Sequence, residues 1–120
     1  MAEPKHLPPI LRDRKRYIIF EIISEQPVEF GDFVSSLWNA MLSFLGEYGT
    51  AESKIWLIQN LYDSKSQRGI IKCGHDAVER VRGSLSVIQI VGETKCIVKV
   101  LGVAGTIKSA EDKYLVKNMG

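Results

Sequence analysis

A chain of 120 residues fits one domain and can bury a core without disulfide or metal staples. Hydrophobic residues at 45% and charged residues at 25% exclude a disordered chain. No apolar run approaches the roughly 20 residues of a membrane span, and the start, MAEPKHLPPILRDRKRY, lacks the apolar stretch of a secretory signal, so the expected compartment is the cytoplasm. Cys73 and Cys96 are too few for a disulfide framework and read as small buried hydrophobes without a redox or metal role.

The net charge of +2 conceals a strong polarity. Residues 1–16 hold five basic and two acidic side chains; residues 17–63 hold Lys54 against Glu21, Glu25, Glu29, Asp32, Glu47, Glu52 and Asp63; residues 64–120 hold ten basic and five acidic, giving +3, −6 and +5. A cationic region for a polyanion and an acidic flank for another partner account for that division.

In chain order, residues 1–16 form a basic arm whose Pro4, Pro8 and Pro9 exclude a helix start and a central strand. Residues 17–116 make a single domain, with 117–120 as a tail. RYIIFEIISE, Arg16 to Glu25, is a buried strand closed by Pro27. From Phe30 to Leu45, Phe33, Val34, Leu37, Trp38, Met41, Leu42 and Leu45 recur at helical spacing, a stripe read as a core face, with Gly46 and Gly49 ending the helix. KIWLIQNLY, Lys54 to Tyr62, is a second strand, paired as a hairpin through DSKSQRG with a third at Ile70 to Cys73. Asp76 stands where an N-cap would precede a helix with Val78, Val81, Leu85 and Ile88 on its inner side. Lys95 to Leu101 is the fourth strand. The glycines of GVAG then let the chain turn out of the sheet, and Ser109 with Asp112 resembles a capping box for a terminal helix reaching Val116. Strand, helix, strand, strand, helix, strand is the order of a ferredoxin-like, RRM-like split βαβ sandwich of the α/β (α+β) class: an antiparallel sheet with both long helices on one face and the other left for a partner.

Enzyme constellations are incomplete. His6 is in the arm, His75 reads as a helix-start residue rather than a base, and Cys73 with His75 lacks a second ligand pair for a metal, so no catalytic and no metal residues are expected. GVAG matches a backbone-clamping G-x-x-G only weakly. An acyl-phosphate hydrolase on this fold would need an arginine and an asparagine at a glycine-rich loop, which Asn39 and Asn60 do not accompany. A regulatory domain binding a small metabolite at a dimer interface is the alternative from another class. The strands where RRM proteins stack bases on aromatics instead carry Lys72, Lys95 and Lys99, with Lys95 and Lys99 on one face by period-two alternation. That pattern suits phosphates more than base edges.

LPPILRDRKRY at 7–17, SLWNAMLSFLGEYG at 36–49, GIIKCGHDAVERVRGSL at 69–85 and LGVAGTIKSAEDKYL at 101–115 together resemble the archaeal ribonuclease P protein component 2 family, homologous to a eukaryotic ribonuclease P and MRP subunit. The resemblance implies a protein that is not catalytic on its own, pairs with the barrel-shaped component 3, often as a two-plus-two assembly containing a homodimer, and activates an RNA that holds the Mg2+ ions and removes the 5′ leader of precursor tRNA. The expected RNA contacts are Arg12, Arg14, Lys15, Arg16, Lys72, Lys99 and Lys108, then Arg80 and Arg82, with no cofactor on the protein and the acidic segment free for protein contacts.

Overall fold

The computed structural model describes residues 14–53, 55–57 and 62–112. Its sheet has five strands in the order β2-β3-β1-β5-β4, all pairings antiparallel: β1 is Lys15–Ser24, β2 Trp56–Leu57, β3 Arg68–Gly74, β4 Ile90–Val91 and β5 Thr94–Ala104. The helices are α1, Phe30–Glu52; α2, Val78–Ser86; and a short α3, Ile107–Ala110. The expected ferredoxin-like arrangement is present, with β4 added as a small hairpin partner of β5.

β1 is the centre because both of its faces are apolar. Ile18, Phe20 and Ile22 point to the inner face and join Phe33, Leu37 and Met41 of α1, Val81 and Leu85 of α2, and Ile71 and Cys73 of β3 in the main core. Each such side chain removed from water contributes about 1.5–3 kcal/mol. Phe20 stacks on Phe33 with ring centroids 4.8 Å apart. On the outer face, Ile19 and Ile70 form a second cluster with Ala104 and Ala110, so α3 lies over that end of the sheet. The face expected to stay free is therefore half covered.

β5 contains a bulge. Ile19 pairs with Gly102 and Phe20 with Val100, leaving Leu101 as the extra residue. Gly102 and Ala104 remain in the strand, so the chain leaves the sheet at Gly105 rather than at the start of GVAG.

Other expectations are corrected locally. Gly46 does not end α1: at φ 78° and ψ 174° it breaks the helix, which resumes to Glu52. Only Phe33, Leu37 and Met41 of the α1 stripe are fully buried; Trp38 is 37% exposed and Leu42 is also exposed, because α2 covers a narrower band than the apolar stripe. Where α2 meets α1, a Cβ on Gly83 would sit 2.8 Å from the Phe44 ring, and the bare backbone permits that approach. Asp76 is not an N-cap: it sits inside a 3-10 turn, His75–Ala77, and neither that turn nor α2 has a side-chain cap. The cap of α3 is Thr106, whose hydroxyl accepts from the Ser109 N–H at 3.1 Å, and not Ser109 with Asp112. Most of the expected second strand, residues 54 and 58–61, lies outside the described residues, as do residues 113–116 of the expected terminal helix.

Gln67 fastens the end of the sheet where β1 leaves for α1. It holds a positive φ of 55°. Its Oε1 accepts from the Val28 N–H at 2.6 Å, its Nε2 donates to the Ile22 carbonyl at 2.8 Å and to Ser24 Oγ at 3.0 Å, and its own carbonyl accepts from the Ile22 N–H. Gln67→Ala leaves the Val28 N–H unpaired and should cost about 1–3 kcal/mol in urea unfolding. Gln67→Gly loses the same bonds but also relieves the left-handed strain, and should be about 1 kcal/mol less damaging than the alanine. Equal losses would show that the positive φ carries no strain.

Candidate nucleic-acid interface

Register decides which basic residues meet. Lys15 pairs with Gly74, Arg16 with Cys73 and Tyr17 with both Lys72 and Ala104, so the start of β1, the end of β3 and the end of β5 share one end of the sheet. The main chain locks this end: the His75 N–H donates to the Arg14 carbonyl at 2.8 Å, and the Gly74 N–H to the Ser53 carbonyl at 3.1 Å. By alternation Lys15 and Lys72 fall on the outer side and Arg16 on the inner side. The Arg16 guanidinium donates to the Lys15 carbonyl at 2.9 Å.

From the helix layer, Arg80 Nε donates to Ser53 Oγ at 3.4 Å, and that hydroxyl in turn donates to the Gly49 carbonyl. Ser53 thus tethers Arg80 to the end of α1. Lys108 is exposed on α3, which begins at this end of β5. Arg14, Lys15, Arg16, Lys72, Arg80 and Lys108 are thereby gathered from the start of β1, β3, α2 and α3, with Asp76, Glu79 and Glu111 as carboxylates on the same segments.

Two expected contacts stand apart. Lys99 pairs with Glu21 four residues along β1 from Lys72's partner Tyr17, about 13 Å away at strand rise. Glu21 also lies 3.7 Å from Arg68. Arg82 is exposed two residues beyond Arg80, on the opposite side of α2. Arg12 and Lys5 lie outside the described residues. Glu25, Glu29 and Asp32 occupy the far end, where β1 leads into α1, so the sheet is electrically polar along its strands.

Burial pushes the Cys73 thiol up to about 11, against the opposing pull of Arg80 and Lys15. The thiol is neutral in the fold and more acidic unfolded, so its contribution to stability is complete below about pH 9 and is lost as the pH rises towards 11. Replacing Cys73 by alanine should flatten that part of the stability profile. At pH 8 the native thiol should alkylate at least about 100-fold more slowly than the unfolded one, from its smaller thiolate fraction alone. Equal rates in mass-spectrometric labelling would contradict this burial.

A groove of about 360 Å³ between α1 and the segment after α2, lined by Ser36, Asn39, Ala40, Val87 and Ile88 among others, offers no titratable side chain. Among the described residues no three His, Cys, Asp or Glu side chains converge to hold a metal ion, and no described helix is long and apolar enough to cross a membrane.

The profile of the Rpp14/Pop5 family matches residues 16–115, which include every strand of the sheet except the first residue of β1. The chain belongs to the Rpp14/Pop5 family. It is 47% identical over 112 residues to ribonuclease P protein component 2 of Pyrococcus furiosus, covering 93% of this chain and 92% of the relative. The protein of the same name from Methanosarcina mazei is 36% identical, with 92% of each chain covered. Among solved structures, a chain of yeast ribonuclease MRP superposes with a TM-score of 0.62 over 90% of both chains at 16% identity, a likeness of fold. The residues that define this Rpp14/Pop5 fold include several that composition and periodicity pass over. Gln67 and Ser53 act through hydrogen bonds between segments distant in sequence, for which no local pattern exists, while Thr106 caps α3 locally, where Ser109 offers a competing hydroxyl. The exposed Ile23, Ile90 and Ile97 read as ordinary strand residues until the sheet is assembled.

Proposed function

We propose that this Rpp14/Pop5 protein is a non-catalytic subunit of ribonuclease P that grips the phosphate backbone of the catalytic RNA with the end of the sheet where β1 begins. One observation carries the reading: Arg14, Lys15, Arg16, Lys72, Arg80 and Lys108, scattered over 95 positions of sequence (108 − 14 + 1), meet at one end of the sheet in a chain whose relatives are named ribonuclease P protein component 2. Cations on a rigid end, with no aromatic side chain at the lysine-bearing positions of β3 and β5, suit phosphates and the shape of folded RNA. Arg12, two residues before Arg14 in the sequence, is proposed for the same surface. Lys99 and Arg82 are outside it.

The chemistry belongs to the RNA, which holds the Mg2+ ions for hydrolysis at the 5′ leader of precursor tRNA. The protein lowers phosphate repulsion and so the magnesium needed to hold the active conformation. The α1 side takes the barrel-shaped component 3: Trp38 and Leu42, one turn apart, are exposed there, and Phe44 and Tyr48 are exposed further along α1, with Asp32 and Glu47 exposed on the same helix. Two copies of each subunit make the assembly.

A pull-down from the native organism, with RNA sequencing and mass spectrometry of the eluate, tests this. Ribonuclease P RNA and component 3 should be enriched. Their absence, with another structured RNA recovered in their place, would move the protein to a different ribonucleoprotein.

A further inference from the structure

The outer face of the sheet is only half covered by α3. At the other end Ile23 of β1, Ile97 of β5 and Ile90 of β4 are 50%, 64% and 55% exposed. They form one strip: Ile23 and Ile97 are direct cross-strand neighbours, and Ile90 pairs with Lys95, two residues from Ile97 along β5. Lys95 and Lys99 flank Ile97 on the same face, both exposed.

The main chain beside this strip is open. β4 pairs with β5 only at Ile90 with Lys95 and Val91 with Thr94, so among the described residues β5 from Ile97 onward is paired with β1 alone. The Lys95 carbonyl accepts from the Glu25 N–H on the β1 side, whereas the Cys96 N–H donates to the Gln89 carbonyl on the opposite side at 2.9 Å. Since successive residues of a strand alternate, Val98 and Val100 turn their N–H and C=O groups away from β1, towards the free margin.

We propose that this margin of β5 accepts an extended acidic segment of a partner protein as a further strand, with an outward apolar side chain resting on Ile97 at the edge of the isoleucine strip and outward carboxylates meeting Lys99 and, where the segment ends against β4, Lys95. Main-chain bonding to Val98 and Val100 supplies affinity, and the alternation of side chains supplies selectivity. Charge chooses the occupant. Two β5 margins paired antiparallel would gather four lysines on one face, and registers centred on Ile97 or Lys99 would set lysine directly against lysine. Exposed isoleucines gain nothing from phosphates, and the strip has no aromatic ring for a base to stack on.

The test titrates the 15N-labelled full chain with a blocked peptide of about six residues, Thr-Glu-Thr-Val-Thr-Glu, whose valine and glutamates share one face of an extended strand. Shifts centred on residues 95–103, with Ile90 at the border of β4, and slowed amide exchange at Val98 and Val100 are expected. The same peptide N-methylated along its pairing edge should leave the spectrum unchanged, and Lys95→Gln with Lys99→Gln should weaken binding by about tenfold while RNA affinity stays within about twofold. Shifts on the helices, no shifts at millimolar peptide, or equal binding of the same peptide with lysine for both glutamates would overturn the proposal. So would a tenfold loss of RNA affinity in the double variant, which would give these lysines to RNA, or a concentration-dependent dimer dissolved by Ile97→Lys, which would give the margin to a second copy.

Discussion

With Arg14, Lys15 and Arg16 all replaced by alanine, RNA binding should lose about two to three units of salt dependence while the fold remains. Each phosphate contact releases condensed counterion and adds about 0.7–0.9 to the slope of log affinity against log salt, so three lost contacts remove about 2–3 units. Between about 50 and 200 mM salt the variant should therefore lose affinity about 20- to 40-fold less steeply than the wild type. Structured RNAs of unrelated sequence should weaken in proportion, because phosphates carry no sequence information. The fold should survive because what this end contributes to the sheet is main chain: the Arg14 carbonyl accepts from the His75 N–H, and Lys15 and Arg16 pair with Gly74 and Cys73 whatever their side chains. Salt titrations with far-UV dichroism check both halves. An unchanged slope in the folded variant would put the RNA on the sheet face with Lys72 and Lys99 instead.

The second large effect is expected at Gly69. It pairs with Phe20, and a Cβ there would lie 2.7 Å from Phe20 Cζ and 3.1 Å from the Tyr62 ring. Phe20 cannot yield, being stacked on Phe33 inside the main core. Gly69→Ala should therefore cost about 1–3 kcal/mol of overpacking, although alanine would be the better strand residue on an open surface. Shortening the ring as well should recover part of this. A cycle of Gly69→Ala with Phe20→Leu should show a favourable coupling of about 1 kcal/mol in urea unfolding. Simple additivity would mean that the ring moves aside without loss.

How much of this was legible beforehand depends on whether a feature is local. The strand from Tyr17 to Ser24, the core residues Phe33, Leu37 and Met41, and the α2 face of Val81 and Leu85 follow from periodicity, because each is buried by the element's own repeat. Gly46 misled because a glycine can break a helix without ending it, and Glu47 to Glu52 lie beyond the break. Trp38 and Leu42 misled because an apolar stripe does not reveal how wide a partner helix is. The basic residues were visible as a list, but not their division: only the antiparallel register puts Lys72 with Lys15 and Lys99 with Glu21. The caps failed for a related reason, since Thr106 and Ser109 are equally good hydroxyls three residues apart and the end of β5 decides between them.

The bulge at Leu101 also limits how β5 can change over evolutionary time. Before it, odd-numbered residues face outward; after it, Ala104 does so, opposite Tyr17. The extra residue thus switches parity just before α3, and a small side chain rather than Val103 lies where Ala110 packs. Deleting Leu101 would restore a regular ladder and leave Ala104 opposite Tyr17, whereas deleting a residue before the bulge would turn Ile97 and the lysines to the other face or carry valine under the helix. Single-residue insertions and deletions between Cys96 and Val100 should therefore be selected against in this lineage, whereas loss of Leu101 or paired changes, which preserve the facing of the strand, should be tolerated.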